Sequence, residues 1–570
     1  MNGTGRRRFL ALGFTATVGG VSACARIPTA SDVQSTPLGG TTEQSVPYVR
    51  PLPPADGATP AQIVAGFVQA GVGPEEDYAI AREHLTPEAA ADWDPYLGVT
   101  VYSAESEPTI EQQGDASVRL ELQALAQVAP DGTRTVLANP SNRGIDIALA
   151  EVDGQWRIAQ PPPGIFLSDA AFGILFQPAV LHFLDGSEQF LVPDVRWYSS
   201  HDVAASVMHA LAAEPATVLR QAVHSAVPSD LAIGGIGDRS QQSGPTRIDL
   251  PAAVGELPAA RRHLALAQLG ATLQSLPGLG TVTLTIDGET PPTPTNPPVP
   301  PRPGHRPFGA TTDGVIALTE TVPTGDPSPL VPAFTGRMVS APVLHAGVQR
   351  AAALDEDPAT VLIAPLDEGE NLREVDLEEP AVGPAIDPHG YVWTSPRSAD
   401  GTLRALATDP PIGDTEDTSV PCAWIRGRQV RRLALSSDGT RLVILSASRG
   451  PGRLDLCAIQ RADDGSPQRI GDPMPLSLDV AEVLDVCWYD ATSLLVLSRV
   501  SLGDDAVQVQ IVDDIGGLES LPAPAAGVVS LAGSSVSSAL WAARADGALF
   551  RFDGSSWSEI DLPVRDPRFY

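Results

Sequence analysis

The chain has 570 residues, enough for about three domains of roughly 100–200 residues each, and its 43% hydrophobic content indicates a folded protein. The formal net charge is −32, and all 37 basic residues are arginine because the sequence contains no lysine. Such an acidic chain is not expected to bind nucleic acid, whose phosphates require cationic partners, or to adsorb to an anionic membrane through charge alone.

The N-terminal segment has the layout of an export signal. Arg6 and Arg7 belong to a basic run, and the 13 residues from Phe9 to Val21 are mostly apolar. This stretch is shorter than the roughly 20 residues that a membrane-spanning helix requires. The run from Arg6 to Leu10 resembles a twin-arginine export signal, and general secretion is the alternative route.

The apolar stretch ends in Val21-Ser22-Ala23-Cys24, which resembles the lipobox of bacterial lipoproteins. This resemblance implies cleavage between Ala23 and Cys24, a diacylglyceryl group on the Cys24 thiol and acylation of the new amino terminus. Two or more acyl chains give stable anchoring. We therefore predict a signal peptide at 1–23 and a mature chain of net charge −35 held by lipid on the extracytoplasmic face of the cell membrane. The alternative is a cleaved signal with an incidental cysteine.

Three further cysteines, Cys422, Cys457 and Cys487, lie far along the chain. An exported location permits one disulfide among them, and the sequence does not choose the pair. Their wide spacing does not indicate a metal site.

A flexible tether rich in Pro, Thr, Ser and Gly is predicted at 24–58, followed by a first folded domain at 59–165. The run Thr59-Pro60-Ala61-Gln62 has the features of a capping box, which predicts a helix start. Another helix is predicted around 76–84, and apolar residues alternate with polar ones from Val99 onward. Helices followed by a curved antiparallel sheet resemble an NTF2-like α+β cone, a fold that can hold a pocket.

A second, α/β domain is predicted at 166–289. Its predicted strands and helices are 191–198, 202–213, 248–250, 261–276 and 282–286. With "LAAEP" after the first helix and "IDG" after the last strand, this order resembles a GerMN domain. Glu214 stands where that family usually has glycine. The resemblance implies binding or scaffolding. A run with nine prolines at 290–307 then predicts an extended spacer.

The remaining residues, 308–570, contain a repeated phrase in which a strand, a tight turn and a more apolar strand follow one another. Its copies are "AIDPHGYVWTS" (385–395), "ALSSDGTRLVILS" (434–446), "VCWYDATSLLVLS" (486–498) and "GSSVSSALWAAR" (533–544). A repeat that consists only of strands and recurs about every 50 residues predicts a β-propeller of five or six blades. The Asp-Gly pairs are predicted to serve the turns locally and not to bind calcium.

No catalytic motif is present. The nine histidines show no metal-ligand spacing, and there is no nucleophile elbow or phosphate-binding loop. The sequence therefore predicts a protein that is not an enzyme and has no catalytic residues, no metal and no cofactor.

The domain order, together with "CARIPTASDVQ" (24–34) and "LVPDVRWY" (191–198), resembles the actinobacterial LpqB lipoprotein family. This resemblance implies a lipoprotein accessory to the MtrA–MtrB two-component system. Such a protein would touch the extracellular domain of the sensor histidine kinase and affect envelope homeostasis and division. One alternative is a receptor that binds a cell-wall fragment in the NTF2-like or GerMN-like domain. Another is a hydrolase with paired carboxylates in the propeller channel.

Overall fold

The computed structural model describes residues 51–200, 203–229, 246–292, 294, 296–319, 328–367, 372–409, 417–476, 478–513 and 518–570. The predicted β-rich, multidomain architecture is confirmed. Arg6, Arg7, Ala23 and Cys24 lie outside the described residues.

The first domain packs three helices against one face of a six-stranded sheet. Its elements are α1 Pro60–Ala70, α2 Glu75–Arg82, α3 Pro87–Asp92, β1 Val99–Tyr102, β2 Thr109–Gln112, β3 Ser117–Val128, β4 Arg134–Val152, β5 Gln155–Gln160 and β6 Ile165–Ser168. The strand order is β5-β4-β3-β1-β6, β2 pairs with β3, and only β1 and β6 run parallel. The alternating apolar residues of β3 supply much of the core.

The predicted capping box is confirmed: the amide of Gln62 donates to Thr59 Oγ1 (3.3 Å) and that of Thr59 to Gln62 Oε1 (2.9 Å). The second predicted helix departs from a regular helix, since residues 76–78 have positive φ angles. The folded part also begins before residue 59. Pro51 is buried, and the amide of Gly57 donates to Gln155 Oε1, so 51–58 lie against the domain instead of in a flexible tether.

Helix α4, Asp169–Leu175, follows β6 and leads into the second domain, whose described residues form two small sheets and three helices. The elements of the second domain are β7 Phe176–Asp185, β8 Leu191–Ser199, α5 Val203–Ala212, β9 Val223–His224, β10 Thr246–Leu250, α6 Ala252–Glu256, α7 Ala259–Gln274 and β11 Val282–Ile286. The first sheet has the order β8-β7-β9, and β10 pairs in parallel with β11. The predicted helix from Asp202 is present as α5, and Asp202 itself lies outside the described residues.

The predicted boundary between these domains at residue 165 falls inside the first sheet. β6 pairs with β1, and Phe172 of α4 packs into the core of the first domain. Directly after α4, at Phe176, the chain enters β7 and the second domain's own sheet. The boundary therefore lies near Leu175.

The rest of the chain forms a propeller whose described residues build six blades. Blade 1 contains β14 Ser340–His345, β15 Arg350–Leu354, β16 Thr360–Pro365 and β17 Arg373–Asp376. Blade 2 contains β18 Ala385–Ile386, β19 Tyr391–Thr394, β20 Thr402–Ala407 and β21 Thr418–Pro421. Blade 3 contains β22 Gln429–Leu435, β23 Arg441–Ala447, β24 Arg453–Arg461, β25 Pro467–Ile470 and β26 Met474–Leu476. Blade 4 contains β27 Glu482–Trp488, β28 Ser493–Arg499, β29 Val507–Asp513 and β30 Leu518–Leu521. Blade 5 contains β31 Val528–Ala532, β32 Leu540–Arg544, β33 Leu549–Phe552 and β34 Trp557–Ile560. Blade 6 contains β12 Pro307–Thr311, β13 Gly314–Ala317 and β35 Arg565–Phe569.

Blade 6 closes the ring from both ends of the propeller segment. β35 is its innermost strand and pairs antiparallel with β12, which pairs in turn with β13. β35 also contacts β31 of blade 5 and β14 of blade 1. Closure of this kind leaves no open edge between the first and last blades.

Candidate functional site at the covered face of the propeller

The turns predicted from the repeated phrase lie at one face of the propeller, around the mouth of its central channel. In three of them an aspartate accepts backbone N–H groups through Oδ1. Asp387 accepts from Tyr391 (2.9 Å), Asp438 from Thr440 (2.8 Å) and Asp490 from Ser493 (2.7 Å). For Asp438, which belongs to an Asp-Gly pair, this bond confirms the prediction that the aspartate serves its turn locally, and Asp387 and Asp490 do the same in their turns. Within the described ranges, no cluster of ligand residues is suited to a metal ion.

Two buried arginines connect these turns to one another. Arg461 Nη2 donates to Asp387 Oδ2 (2.6 Å) and to the carbonyl of Gly439 (2.8 Å), which joins blades 2 and 3. Arg441 Nη2 donates to Asp438 Oδ2 (2.7 Å) and to the carbonyl of residue 491 (2.6 Å), which joins blades 3 and 4. All four charged side chains are at most 1% exposed, so both ion pairs are fully desolvated.

The second domain covers this face. Phe190 packs edge-on against the ring of His389, with ring centroids 5.2 Å apart. Gln221 accepts through Oε1 from Gln460 Nε2 (2.7 Å) and Arg469 Nη2 (3.0 Å) of blade 3. Ala458 of the same blade packs into the apolar core of the second domain. The contact therefore has both an apolar and a polar part.

Burial at this contact changes the titration of a histidine on β7. His182 has a pKa lowered to about 4, chiefly by burial and also by the positive charge of Arg441 across the interface. Its amide donates to Thr272 Oγ1 of α7 (2.9 Å). The imidazole is therefore neutral at neutral pH.

The quoted phrase "LVPDVRWY" is β8, and it joins the second domain to the first. Arg196, which is 1% exposed, donates from Nη2 to Asp194 Oδ2 (2.7 Å) and from Nη1 to the carbonyl of Asp131 (2.8 Å) in the first domain. The Tyr198 hydroxyl donates to the same carbonyl (3.0 Å), and the amide of Trp197 donates to the carbonyl of Gly132 (2.8 Å). The phrase thus positions the β3–β4 turn of the first domain.

The proline-rich run lies across the channel mouth and does not separate the two domains. Val299 pairs with the second domain: its carbonyl accepts from the amide of Leu191 (2.9 Å), and its amide donates to the carbonyl of Gln189 (2.9 Å). Further along, the amides of His305 and Arg306 donate to the carbonyl of Tyr570 at the end of blade 6. Residues 299–306, here called the crossing segment, therefore connect the second domain to the propeller.

Beneath the crossing segment lies a cavity of about 760 Å³, here called the channel cavity. Aromatic side chains from the second domain and from blades 4 and 6 line it, together with two arginines from the inner strands. These residues are Phe190, Phe308, Trp488, Tyr570, Arg432 and Arg568. Asp490 is the single carboxylate side chain among the described lining residues, so the cavity does not offer the paired carboxylates of the hydrolase hypothesis.

The opposite face of the propeller, where the inner strands begin, carries a group of arginines from blades 2 to 4, here called the basic face. Its members are Arg397, Arg426, Arg428, Arg431, Arg449, Arg453 and Arg499. Two carboxylates are each shared by two of these arginines: Asp455 by Arg428 and Arg453, and Glu482 by Arg431 and Arg499. Arg499 also lies 3.7 Å from Asp505, so carboxylates neutralise part of the positive charge of this face.

The three later cysteines have free thiols in the structure. Burial raises the pKa of Cys487 to about 11 and that of Cys422 to about 12, and it also raises the pKa of Cys457. Cys422 and Cys457 belong to one apolar cluster in blades 2 and 3. Such thiols are poor nucleophiles, which agrees with a structural role.

Models of known families match three parts of the chain. Residues 53–173 match "Lipoprotein LpqB, N-terminal domain", and 322–569 match "Lipoprotein LpqB beta-propeller domain". The chain belongs to the LpqB lipoprotein family. Residues 180–291 match a third model, described as "Sporulation and spore germination".

Curated LpqB lipoproteins align over parts of the chain or nearly all of it. The Thermobifida fusca relative is 25% identical over 89% of each chain, and the Mycolicibacterium smegmatis relative is 27% identical over 82% of this chain and 83% of its own. The alignment with the Cutibacterium acnes relative, at 27% identity, spans about half of each protein, 47% of this chain and 45% of that one. None of the helices in the described ranges has the length and apolar character that a membrane crossing needs.

Proposed function

We propose that this LpqB-family chain is a lipid-anchored, non-catalytic protein of the extracytoplasmic membrane face that modulates an MtrB-like sensor histidine kinase. The lipid on Cys24 would hold it at the membrane. The 24–51 segment can span at most about 95 Å when fully extended, which sets the reach of the folded domains. Direct contact with the kinase's extracellular domain, in turn, would affect envelope homeostasis and division.

The observation that carries this proposal is the difference between the two faces of the propeller. The second domain and the crossing segment occupy one face, whereas the basic face has no described domain packed on it. Arg426 and Arg449 are exposed there and make no ion pair with a described residue. Arginine is enriched in the energetically important parts of protein interfaces.

The surroundings of the basic face support a contact with a defined orientation. The loop after Arg499 exposes Val500 (54%) and Leu502 (68%), which adds apolar surface beside the arginines. At the same end of blade 1, the turn 355–357 carries three carboxylates. A surface with positive charge on one side and negative charge on the other favours one docking orientation and disfavours like-charged partners.

Site-specific photocrosslinking in living cells tests this proposal. A photoreactive amino acid is placed at Ser448 or Gln429, both exposed on the basic face, and at Ser555, which is exposed on blade 5 away from it. We expect the sensor kinase to be captured from Ser448 and Gln429 but not from Ser555. Capture from none of the three positions, with the protein present at normal levels, would contradict the proposal.

Charge reversal gives an independent measurement. The double variant Arg397→Glu and Arg449→Glu is expected to alter phosphorylation of the response regulator while the protein stays in the membrane fraction. The matched control is Arg119→Glu, an exposed arginine of the first domain. If phosphorylation of the response regulator were equal in both variants and the wild type, the basic face would not be the contact surface.

A further inference from the structure

The floor of the channel cavity is an ion cluster that crosses the propeller channel. Arg432 Nε of blade 3 and Arg568 Nη1 of blade 6 lie 3.2 Å and 3.4 Å from the two carboxylate oxygens of Asp485 in blade 4. The same carboxylate accepts the amides of Val486 (2.9 Å) and Leu531 (3.0 Å). The two amides occupy about half of the acceptor positions of this carboxylate, so Asp485 can take only about one N–H group from each guanidinium.

Arg432 is left with unused donors. Its guanidinium has five N–H groups and an ion pair with Asp485, yet no described residue accepts a well-aligned hydrogen bond from it, and its side chain is only 14% exposed. The nearby Asp566 adds negative charge, but its Oδ2 already accepts the amide of Ala341 (2.8 Å). Buried donors without acceptors are costly, so an oxygen ligand beside Arg432 is favoured.

The walls of the channel cavity suit an apolar body. Tyr570 lines the blade 6 side and packs edge to face on the fully buried Phe308, with centroids 5.5 Å apart. Trp488 lines the blade 4 side, and Phe190 enters from the second domain. The volume of about 760 Å³ lies within the range of small-molecule sites. Apolar walls and a few convergent polar groups are the usual composition of such sites.

We propose that the channel cavity binds a small molecule with a carboxylate on an apolar body, with the carboxylate held by Arg432 and the body lying among the aromatic side chains. The crossing segment would form the outer wall of the site. This site lies in the propeller and not in either of the first two domains. It is independent of the proposed contact with a kinase.

Calorimetry with a matched pair of probes tests the site on the purified full-length protein. The probes are 4-phenylbutyrate and its neutral analogue 4-phenylbutanamide. We expect saturable binding of the carboxylate and at least about tenfold weaker binding of the amide, since a charge-assisted pair is lost. Equal binding of the two probes, or no saturable binding of 4-phenylbutyrate up to about 10 mM, would overturn the proposal.

Three variants locate the binding. Arg432→Gln should weaken 4-phenylbutyrate at least about tenfold, and Arg119→Gln, the control in the first domain, should leave it unchanged. Ser437→Trp fills the cavity from an exposed lining position without touching the ion cluster, and it should also abolish binding. If Arg432→Gln does not fold, Ser437→Trp decides alone: undiminished binding in that variant places the probe elsewhere and refutes the site.

Discussion

His389 of the propeller and Asp185 of the second domain lie 3.6 Å apart, Nε2 to Oδ2, with side chains 4% and 1% exposed. Burial lowers the pKa of His389, and the charge of Arg461 lowers it further. Asp185 accepts from the amides of Ser187 and Phe190 and from the Ser187 hydroxyl. The contact therefore joins a carboxylate, held by its own turn, to a neutral imidazole.

Acidification is expected to destabilise the second domain and its contact with the propeller. The pKa of His182 is about 4 in the folded protein and near 6.5 in an unfolded chain, so the unfolded chain binds the proton first as the pH falls. The contribution of neutral His182 to the free energy of unfolding is complete above about pH 6.5 and is lost as the pH falls towards 4. At pH 5 this loss amounts to about 2 kcal/mol.

Thermal unfolding of the wild type and His182→Gln between pH 7.5 and 4.5 measures this effect. The variant should show a shallower decrease in melting temperature on acidification, whereas His305→Gln, at an exposed position of the crossing segment, should follow the wild type. If the melting temperatures of all three proteins fell in parallel with pH, His182 would not be the cause of the pH dependence.

The buried pair Arg461–Asp387 should contribute far more to stability than an exposed pair nearby. Arg461→Met leaves the carboxylate of Asp387, 0% exposed, without its cation, which typically costs about 3–5 kcal/mol. Arg404→Met removes the surface pair with Asp400 in blade 2, worth about 1 kcal/mol or less after screening by solvent. Urea unfolding followed by tryptophan fluorescence compares the two, and similar midpoints would be inconsistent with this ranking.

Closure of the ring should be sensitive to one methyl group. A Cβ at Gly309 of β12 would lie 2.3 Å from Val564 Cγ1 and 3.2 Å from the carbonyl of Arg565 on the closing strand. Gly309→Ala is therefore expected to cost about 1–3 kcal/mol through overpacking. Gly173→Ala, where nothing lies within 4 Å, is the control and should be neutral or stabilising because it lies in α4. Thermal melts of both variants measure the difference, and equal melting temperatures would refute it.

Membrane attachment should depend on Cys24. Cys24→Ser is expected to abolish labelling with radioactive palmitate and to shift the protein from the membrane fraction. Cys487→Ser, which removes a partly buried thiol in blade 4, should keep both properties. A Cys24→Ser protein that still incorporates palmitate would disprove the predicted attachment site.

Features that depend on neighbouring residues could be predicted from the sequence. The capping box at Thr59, the alternating strand β3 and the aspartate turns at Asp387 and Asp438 all arise from contacts within a few residues. The sequence does not decide between five and six blades, because β12 and β35, which form the sixth blade together, lie at opposite ends of the propeller segment.

Features that depend on contacts between domains could not be predicted. Asp185, Arg441 and Arg461 have no local pattern that marks them, and their partners come from other blades or another domain. The sequence does not predict β7, because the buried residues of this strand do not alternate and Pro178 interrupts the pattern. The crossing segment has the composition of a spacer, and only its pairing with Leu191 and Tyr570 shows that it is docked.

The pairing of β12 with β35 has a consequence for biogenesis. Phe308 and Arg568 are neighbours in the sheet but about 260 residues apart in the chain, so their association is among the slowest and last steps of folding. Until the final strand has been synthesised and exported, β12 has a bare hydrogen-bonding edge, which invites aggregation, and blades 1 and 5 lack the strand that packs between them. Prematurely terminated chains would retain this edge permanently, and extracytoplasmic proteases could thereby distinguish them from complete molecules.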